Sequence, residues 1–282
     1  MDERMGANIN GPSLIRVPAW LPNPLGRYYL YFAHHAGTYI RLACADALEG
    51  PWRIHSPGTL RMDQTPFPAH IASPDVHVDS ERREIRMYYH GAFERPPQHS
   101  CLATSRDGIH FESTADLLGP SYFRVFRYQS AHYAIAMPSR LYRSVDGLGG
   151  FEPGPMLLPG DERNDPEQPR TRHSAVLVAG ETLHLFYSRK RDAPEHILRA
   201  RINLAGDWRS WRFAGMPESV IRPEKEYEGA RLPPVRSEAG AVHGPVHQLR
   251  DPALYREADR TYLLYSVAGE RGIAIAEIEP SL

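Results

Sequence analysis

The sequence has few cysteines and no long apolar run, and both absences exclude whole classes of protein. Only Cys44 and Cys101 occur in 282 residues, so a disulfide framework is excluded and two buried thiols are expected. The longest apolar stretches, such as residues 28–33 and 273–276, are far shorter than the ~20 residues of a membrane-spanning helix. The N-terminal residues lack an apolar stretch of the secretory type, which predicts a cytoplasmic protein.

The charge balance also excludes partners. The chain has 33 Lys and Arg residues against 34 Asp and Glu residues, a net charge of -1 with no block of like charge. General binding to nucleic acid or to an anionic membrane is therefore not expected. With 41% apolar and 24% charged residues, the chain can fold around a proper core.

A unit of three or four strand-like segments recurs five times. Each unit opens with a short strand near a Pro or a small residue, continues with an aromatic and β-branched run, and adds a third apolar strand. The openings, at Pro12, Pro74, Pro120, His173 and Pro252, are 46 to 79 residues apart. This spacing predicts an all-β, five-bladed β-propeller, a single domain of residues 1–282, with a two-sheet sandwich as the alternative.

The predicted blades cover residues 10–60, 71–115, 118–158, 172–214 and 249–279, and a long loop covers residues 214–249. The last blade shows only three strands, so we expect residues 1–9 to pair with it and close the ring.

The repeat resembles the five-bladed β-propeller glycoside hydrolase superfamily, which includes families 43, 62, 32, 68, 117 and 130. Three features carry the resemblance: the strand openings with Pro, second strands such as residues 28–31, and the segment 105–111, Ser-Arg-Asp-Gly-Ile-His-Phe. The resemblance implies a propeller that acts on sugars. The positions that best match the acidic residues of family 43 are Asn10 or Gly11, Ser73 and Leu118, so the usual acidic triad is absent. The triplet Arg250-Asp251-Pro252 resembles one in the sucrose-acting families, where the Asp lies in blade two and stabilises positive charge at the sugar ring.

Propeller geometry predicts one funnel. The innermost strand of each blade starts on the face where the antiparallel second strand ends, so side chains at both positions converge there. The opposite ends of the strands, such as residues 79–82, read as ordinary turns. The predicted funnel residues are Asn10, Asp75, His173 and Asp251 at the strand starts, and His34, His35, His90, Arg189, Lys190, Glu270 and Arg271 at the second-strand ends. Converging polar groups are typical of a ligand pocket.

Cleavage of a glycosidic bond needs a proton donor and a carboxylate. We expect Asp251 and Asp75 to supply carboxylates, and Glu228 in the long loop, or a histidine such as His34, to be the acid. Similarity to the neoagaro-oligosaccharide hydrolases implies that a histidine acid is feasible. Each residue also has a structural interpretation: a turn-forming Asp, a solvated loop Glu or a hydrogen-bonded core His.

The remaining funnel residues are predicted to bind substrate. They are His35, His90, Arg189, Arg250, His173 and Asn10. No cofactor is required, although the superfamily implies a structural calcium ion in the central channel, near His173. The sequence thus predicts a glycosidase acting on a short oligosaccharide, with a phosphorylase or a non-catalytic carbohydrate-binding propeller as alternatives. The oligomeric state stays open.

Overall fold

The computed structural model describes residues 8–94, 97–163, 165 and 167–278. These residues form five separate antiparallel sheets with the arrangement of a five-bladed β-propeller. The predicted fold class is therefore confirmed, and the two-sheet sandwich is excluded.

None of the helices in this part of the chain has the length and hydropathy needed to cross a membrane. The chain divides into two compact units after Ser121, and the prediction of a single domain stays a prediction.

The first unit contains two sheets, with strand orders β1-β2-β3-β4 and β5-β6-β7-β8, and β9 pairs with β7. Their strands are β1 (Asn10–Arg16), β2 (Tyr28–Ala33), β3 (Arg41–Ala45), β4 (Arg53–His55), β5 (His70–Asp79), β6 (Glu84–Ala92), β7 (Gln98–Ser105), β8 (Glu112–Ser113) and β9 (Gly119–Pro120). Aromatic second-strand residues such as Tyr29, Tyr31 and Tyr89 form one core with Ile71 and Phe111. Because both faces of these strands are covered, they read as nearly continuous apolar runs.

The second unit contains three sheets, with strand orders β10-β11-β12-β13, β14-β15-β16-β17 and β18-β19-β20. Their strands are β10 (Arg124–Tyr128), β11 (Ala131–Ala136), β12 (Arg140–Ser144), β13 (Glu152–Met156), β14 (Arg170–Ala179), β15 (Thr182–Lys190), β16 (Ile197–Asn203), β17 (Glu218–Ile221), β18 (Arg250–Glu257), β19 (Arg260–Val267) and β20 (Gly272–Ile278). One core includes Tyr133, Leu185 and Trp211, and a second includes Phe186 and Leu263. The expected pairing of residues 1–9 with the last blade lies largely outside the described residues, which begin at Asn8.

A bulge recurs near the start of the innermost strands. The pairing register breaks between Asn10 and Ser13 in β1, Ala72 and Asp75 in β5, Thr171 and Ser174 in β14, and Arg250 and Ala253 in β18. In three of them the residue before Pro is left-handed: φ is +57° at Gly11, +48° at Ser73 and +49° at Asp251. Bulges of this kind re-aim side chains and are frequent beside active sites.

Two boundaries of the predicted blades are wrong. Gly119–Pro120 pairs with β7 of the second sheet, and the third blade opens instead at Arg124, without a Pro. The segment Glu218–Ile221 is the outer strand of the fourth blade and pairs with β16. The long loop therefore starts at residue 222, and the fourth blade ends at Ile221 instead of residue 214.

The turn at Asp107 explains the segment 105–111 in physical terms. Oδ1 of Asp107 accepts hydrogen bonds of 2.8 Å from the backbone N–H groups of Ile109 and His110, and Gly108 has a φ of +73°. The Tyr31 hydroxyl donates to the Gly108 carbonyl oxygen at 2.8 Å and so joins the first blade to the second. Burial opposes ionisation of Asp107, but hydrogen bonds from the His110 ring, from these two N–H groups and from the Ser105 hydroxyl outweigh it and lower the pKa of Asp107 to about 2.

We expect Asp107→Asn to lower the thermal midpoint of the protein near neutral pH and to leave it nearly unchanged in acid. In the folded protein the pKa of Asp107 lies below the ordinary value of about 3.9 for an aspartate. The carboxylate therefore stabilises the fold fully above about pH 3.9, and this stabilisation is lost as the pH falls towards about 2. The difference in thermal midpoint between wild type and variant should be a few °C at pH 6 and shrink towards zero at pH 2. Asp63→Asn, at an exposed site, is the control, and a difference that persists unchanged at pH 2 would contradict the assignment.

Candidate functional site

His173 and Asp251 meet in the second unit. Nδ1 of His173 contacts Oδ1 of Asp251, and the Ser266 hydroxyl donates to the other carboxylate oxygen at 2.9 Å. The Tyr122 ring packs edge-on against the imidazole, with 4.4 Å between ring centroids. His173 and Asp251 are both buried. Each of them belongs to the bulge of its own strand, so the two bulges bring the imidazole and the carboxylate together.

Asp251 is held in its ionised form. Burial by itself would raise the pKa of this carboxyl group, but His173, together with Arg172, keeps it well below the ordinary value. A nitrogen that contacts an ionised carboxylate carries a proton, so His173 is protonated on Nδ1. Its second ring nitrogen, Nε2, is then the atom that can take up or release a proton. Burial raises the pKa of Tyr122 to about 12, so this phenol stays neutral.

A buried network of arginines and glutamates lies beside this pair. Glu195, which is 0% exposed, accepts from Nη1 of Arg172 at 3.2 Å and from the Ser188 hydroxyl at 2.7 Å. Its Oε2 atom also lies 3.3 Å from Nε of Arg250, and Arg250 donates to Glu270 at 3.2 Å. The two guanidinium groups and two carboxylates compensate each other's charge, as buried ions must.

The long loop is fastened to this network. Arg172 donates to the backbone carbonyl oxygens of Glu238 at 2.9 Å and Gly240 at 2.5 Å, and Arg250 reaches the same Gly240 oxygen at 3.5 Å. Residues 238–240 are therefore held against the ends of β14 and β18.

Glu228 is engaged by its own loop and by Tyr265. Its carboxylate is buried, accepts from the backbone N–H groups of Glu224 and Lys225 at 2.8 Å, and accepts from the Tyr265 hydroxyl at 2.8 Å. These contacts close the 3-10 turn Glu226–Glu228, and Gly229 follows it with a φ of +84°. The geometry therefore favours a structural role for Glu228.

Arg250 and Arg189 also have partners within the protein. Arg250 is 1% exposed and paired as described, so its guanidinium is not presented to a ligand. Nε of Arg189 donates to Asp192 at 3.0 Å. The predicted binding roles of these two arginines therefore compete with ion pairs that the fold already makes.

The first unit brings several other predicted residues together around Asn8. The Asn8 side-chain oxygen accepts from the Asn10 amide at 2.9 Å and from the His35 backbone N–H at 3.0 Å. The Asn8 backbone carbonyl accepts from Arg41 at 2.7 Å, and Arg41 also donates to the carbonyl of Ala33. Oδ1 of Asn10, a residue only 5% exposed, has no hydrogen-bond partner among the described residues. A buried acceptor of this kind is typical of a place that a polar ligand fills.

Two imidazoles lie at the corresponding end of the second sheet. The His70 and His90 rings pack edge-on with 5.8 Å between centroids, and His70 lies 3.2 Å from the Gln98 amide. Burial lowers the pKa of His70, and His35 lowers it further. These contacts place the predicted residues His35 and His90 in one neighbourhood with His70.

The other two predicted catalytic residues of the first unit have local contacts. Nδ1 of His34 accepts from the backbone N–H of Ala36 at 3.2 Å. Oδ2 of Asp75 lies 2.9 Å from Nε2 of His77, and the Asp75 side chain is 16% exposed. Asp75 therefore combines a polar partner with some contact with solvent.

The residues around His173 do not fit a calcium ion. Calcium takes about six to eight oxygen ligands, whereas both Asp251 oxygens are engaged by His173 and Ser266. In the described part of the chain, no group of three or more His, Cys, Asp or Glu side chains is arranged to hold a metal.

Sequence reasoning missed Arg172 and Glu195. Arg172 could have been found from the sequence, because it directly precedes His173. It occupies the position in the β14 bulge that Asp251 occupies in the β18 bulge. Glu195 gave no such signal. It follows Pro194 in a loop, and only the tertiary structure places it between two arginines.

No family model matches the chain. The chain is 36% identical over 301 residues to uncharacterized protein R118 of Acanthamoeba polyphaga mimivirus, and the alignment covers 96% of this chain and 83% of the viral protein. The chain belongs to the R118 family. Because R118 is itself uncharacterized, membership of the R118 family assigns no activity.

Solved structures show where the R118-family fold occurs elsewhere. A family 43 β-xylosidase/α-arabinofuranosidase from a compost metagenome, in complex with xylotriose, matches with a TM-score of 0.66 over 98% of this chain and 92% of that chain. A family 43 enzyme from Xanthomonas citri complexed with xylose matches with a TM-score of 0.66 over 98% and 88%. An exo-1,5-α-L-arabinanase from a bovine ruminal metagenome matches with a TM-score of 0.65 over 99% and 96%. Each is 12% identical to this chain, so the likeness shows a glycoside hydrolase family 43 fold and nothing about activity.

Proposed function

We propose that this protein is a glycosidase acting on short oligosaccharides, with His173 as the group that transfers the proton and Asp251 as its positioning residue. The observation that carries the proposal is the contact between the buried imidazole and the ionised carboxylate. The left-handed backbone at Asp251 supports it, since such strain concentrates at functional sites.

The chemistry follows from the tautomer. With Nδ1 protonated and facing Asp251, Nε2 of a neutral His173 is a base, and the imidazolium form is an acid that Asp251 stabilises. Protonation of the leaving oxygen is the step that glycosidic cleavage requires of such a group. Cleavage also needs a carboxylate, and Asp75 stays the prediction from sequence for this role. The variant Asp75→Asn tests it separately.

Oligosaccharides of pentoses are the first substrates to test. Neighbours of the fold are complexed with xylose and xylotriose. The polar groups around Asn10 in the first unit include amides and imidazoles, which donate to and accept from neutral hydroxyl groups, while the guanidinium of Arg41 is engaged by backbone carbonyl oxygens. This chemistry supports a neutral sugar.

The test is product formation from xylo-, arabino- and other short oligosaccharides, with and without phosphate, followed by chromatography with mass detection. We expect shorter sugars to appear without phosphate and to disappear when His173 is replaced by Asn. Product that is equally abundant with His173→Asn would contradict the proposal.

A phosphorylase would instead give sugar phosphate only when phosphate is added. It is the less favoured alternative, because Arg250 and Arg189, two of the basic residues predicted to bind substrate, are paired with carboxylates. Sugar phosphate in the assay would nevertheless overturn the hydrolase assignment.

A carbohydrate-binding propeller without turnover is the second candidate. The specific observation in its favour is that Glu195 and Glu270 are neutralised by arginines, while Oδ1 of Asn10 has no partner among the described residues. An oligosaccharide that raises the thermal midpoint, is recovered intact, and loses its effect with Asn10→Ala would support this candidate.

A further inference from the structure

A cavity of about 780 Å³ lies in the first unit, at the ends of β1 and β5 that are opposite to their bulges. Val17, Leu21 and Val78 supply apolar walls, and Arg16, Arg27 and Ser80 bring polar groups to it. The sequence predicted only ordinary turns at this end of the strands. A volume of this size is within the range of about 300–1,000 Å³ that is usual for small-molecule sites.

One wall of the cavity is the loop that joins β1 to β2, and this loop is held at several points. The Val17 N–H donates to the Arg27 carbonyl at 2.9 Å, and the Leu25 N–H donates to the Tyr29 hydroxyl at 2.9 Å. A Cβ atom on Gly26 would lie 2.9 Å from the Ala45 carbonyl oxygen, so Gly26 fits against β3 only because it lacks a side chain.

Three prolines further restrict this loop, at positions 18, 22 and 24. Each fixes its own φ near -65°. A wall with this many constraints exists before a ligand arrives, and binding then costs little ordering of the protein.

The cavity lining includes the charged residues Arg16, Arg27 and Asp46. The Arg27 guanidinium lies 5.7 Å from the centre of the Tyr28 ring, and within the described residues no carboxylate pairs with it. Arg16 is the last residue of β1 and the register partner of Tyr28, the residue that follows Arg27. The acidic residue in the lining, Asp46, is 73% exposed and lies 3.7 Å from Arg53.

We propose that this cavity binds a small organic anion with an apolar body. The anionic group, a carboxylate, sulfonate or phosphate, meets the guanidinium group of Arg27. The apolar body lies against Val17, Leu21 and Val78. The site is separate from the proposed glycosidase chemistry, because its lining residues all belong to the first unit and include neither His173 nor Asp251.

The test uses two fluorescent naphthalene probes of similar size on the whole protein. One is 1-anilinonaphthalene-8-sulfonate, an anion, and the other is N-phenyl-1-naphthylamine, which is neutral. We expect the anion to bind with one-to-one stoichiometry and Arg27→Gln to raise its Kd about tenfold, the effect of losing one charge-assisted contact. The same variant should leave the affinity for the neutral probe unchanged.

Two further variants make the result decisive. Arg61→Gln removes an exposed arginine of the same unit and should leave both affinities unchanged. Ser80→Trp fills the cavity from the turn after β5 and should weaken both probes, while the thermal midpoint shows that the protein is folded. Absence of anion binding, equal affinity in all variants, or loss of affinity only with variants near Asn10 or His173 would overturn the proposal.

Discussion

Replacing Asp251 with Asn lowers sugar release by about 10²–10⁴-fold, the usual contribution of a positioned acid or base. The Asn amide cannot supply the negative charge that holds the proton on Nδ1 of His173 and stabilises the imidazolium form. The imidazole then loses its fixed tautomer, although its ring stays packed against Tyr122. The measurement is kcat and KM on the substrate that wild type cleaves, over a range of pH.

The pH profile separates a positioning role from a merely structural one. Loss of the Asp251 charge should move the pKa of the imidazole in the kcat profile to lower pH, because an adjacent carboxylate favours the charged ring. Asp259→Asn, on the exposed hairpin turn of the same blade, should change neither kcat nor the profile. An Asp251→Asn protein that folds normally but retains wild-type kcat and pH profile would refute the assignment.

Replacing Glu195 with Gln should destabilise the protein more than any exposed substitution. The variant keeps the size of the side chain but leaves a buried guanidinium, of Arg172 or Arg250, without a compensating charge. Breaking a buried ion pair in this way costs about 3–5 kcal/mol of the free energy of unfolding. The thermal midpoint, followed by circular dichroism, should fall by about 10 °C.

The matched control is Glu218→Gln. Glu218 also accepts from two arginines, Arg199 and Arg201, but it is 53% exposed. Water replaces the lost contacts there, so the cost should stay within about 1 kcal/mol. Equal midpoints for the two variants would show that the buried network contributes no more than a surface pair.

The strands were largely open to prediction because their burial leaves a pattern in the sequence. Runs such as residues 28–33 and 182–187 are apolar and aromatic since both faces of a blade are covered. The outer strand Glu218–Ile221 was missed because it is four residues long and half of it is exposed. Gly119–Pro120 was misassigned because its Pro imitates the other blade openings, although it pairs with β7.

The sequence allowed site residues to be predicted only at positions that recur from blade to blade. Asp251 was found because the X-Pro opening recurs, and His173 because it stands in the fourth blade where Pro252 stands in the fifth. Their contact depends on two bulges that shift the register, and no local pattern encodes it. Glu195 reaches the network from a loop, and the cavity near Arg27 depends on how the β1–β2 loop folds back.

The left-handed residue before Pro lets the backbone and the chemistry of this protein vary independently. Gly11, Ser73 and Asp251 differ completely in side chain, yet their φ angles lie within 9° of each other, between 48° and 57°. The backbone therefore adopts the same conformation at this position in three blades, whatever the side chain. A single substitution at such a position can add or remove a reactive group without changing the strand, so relatives with different catalytic residues can keep the same propeller.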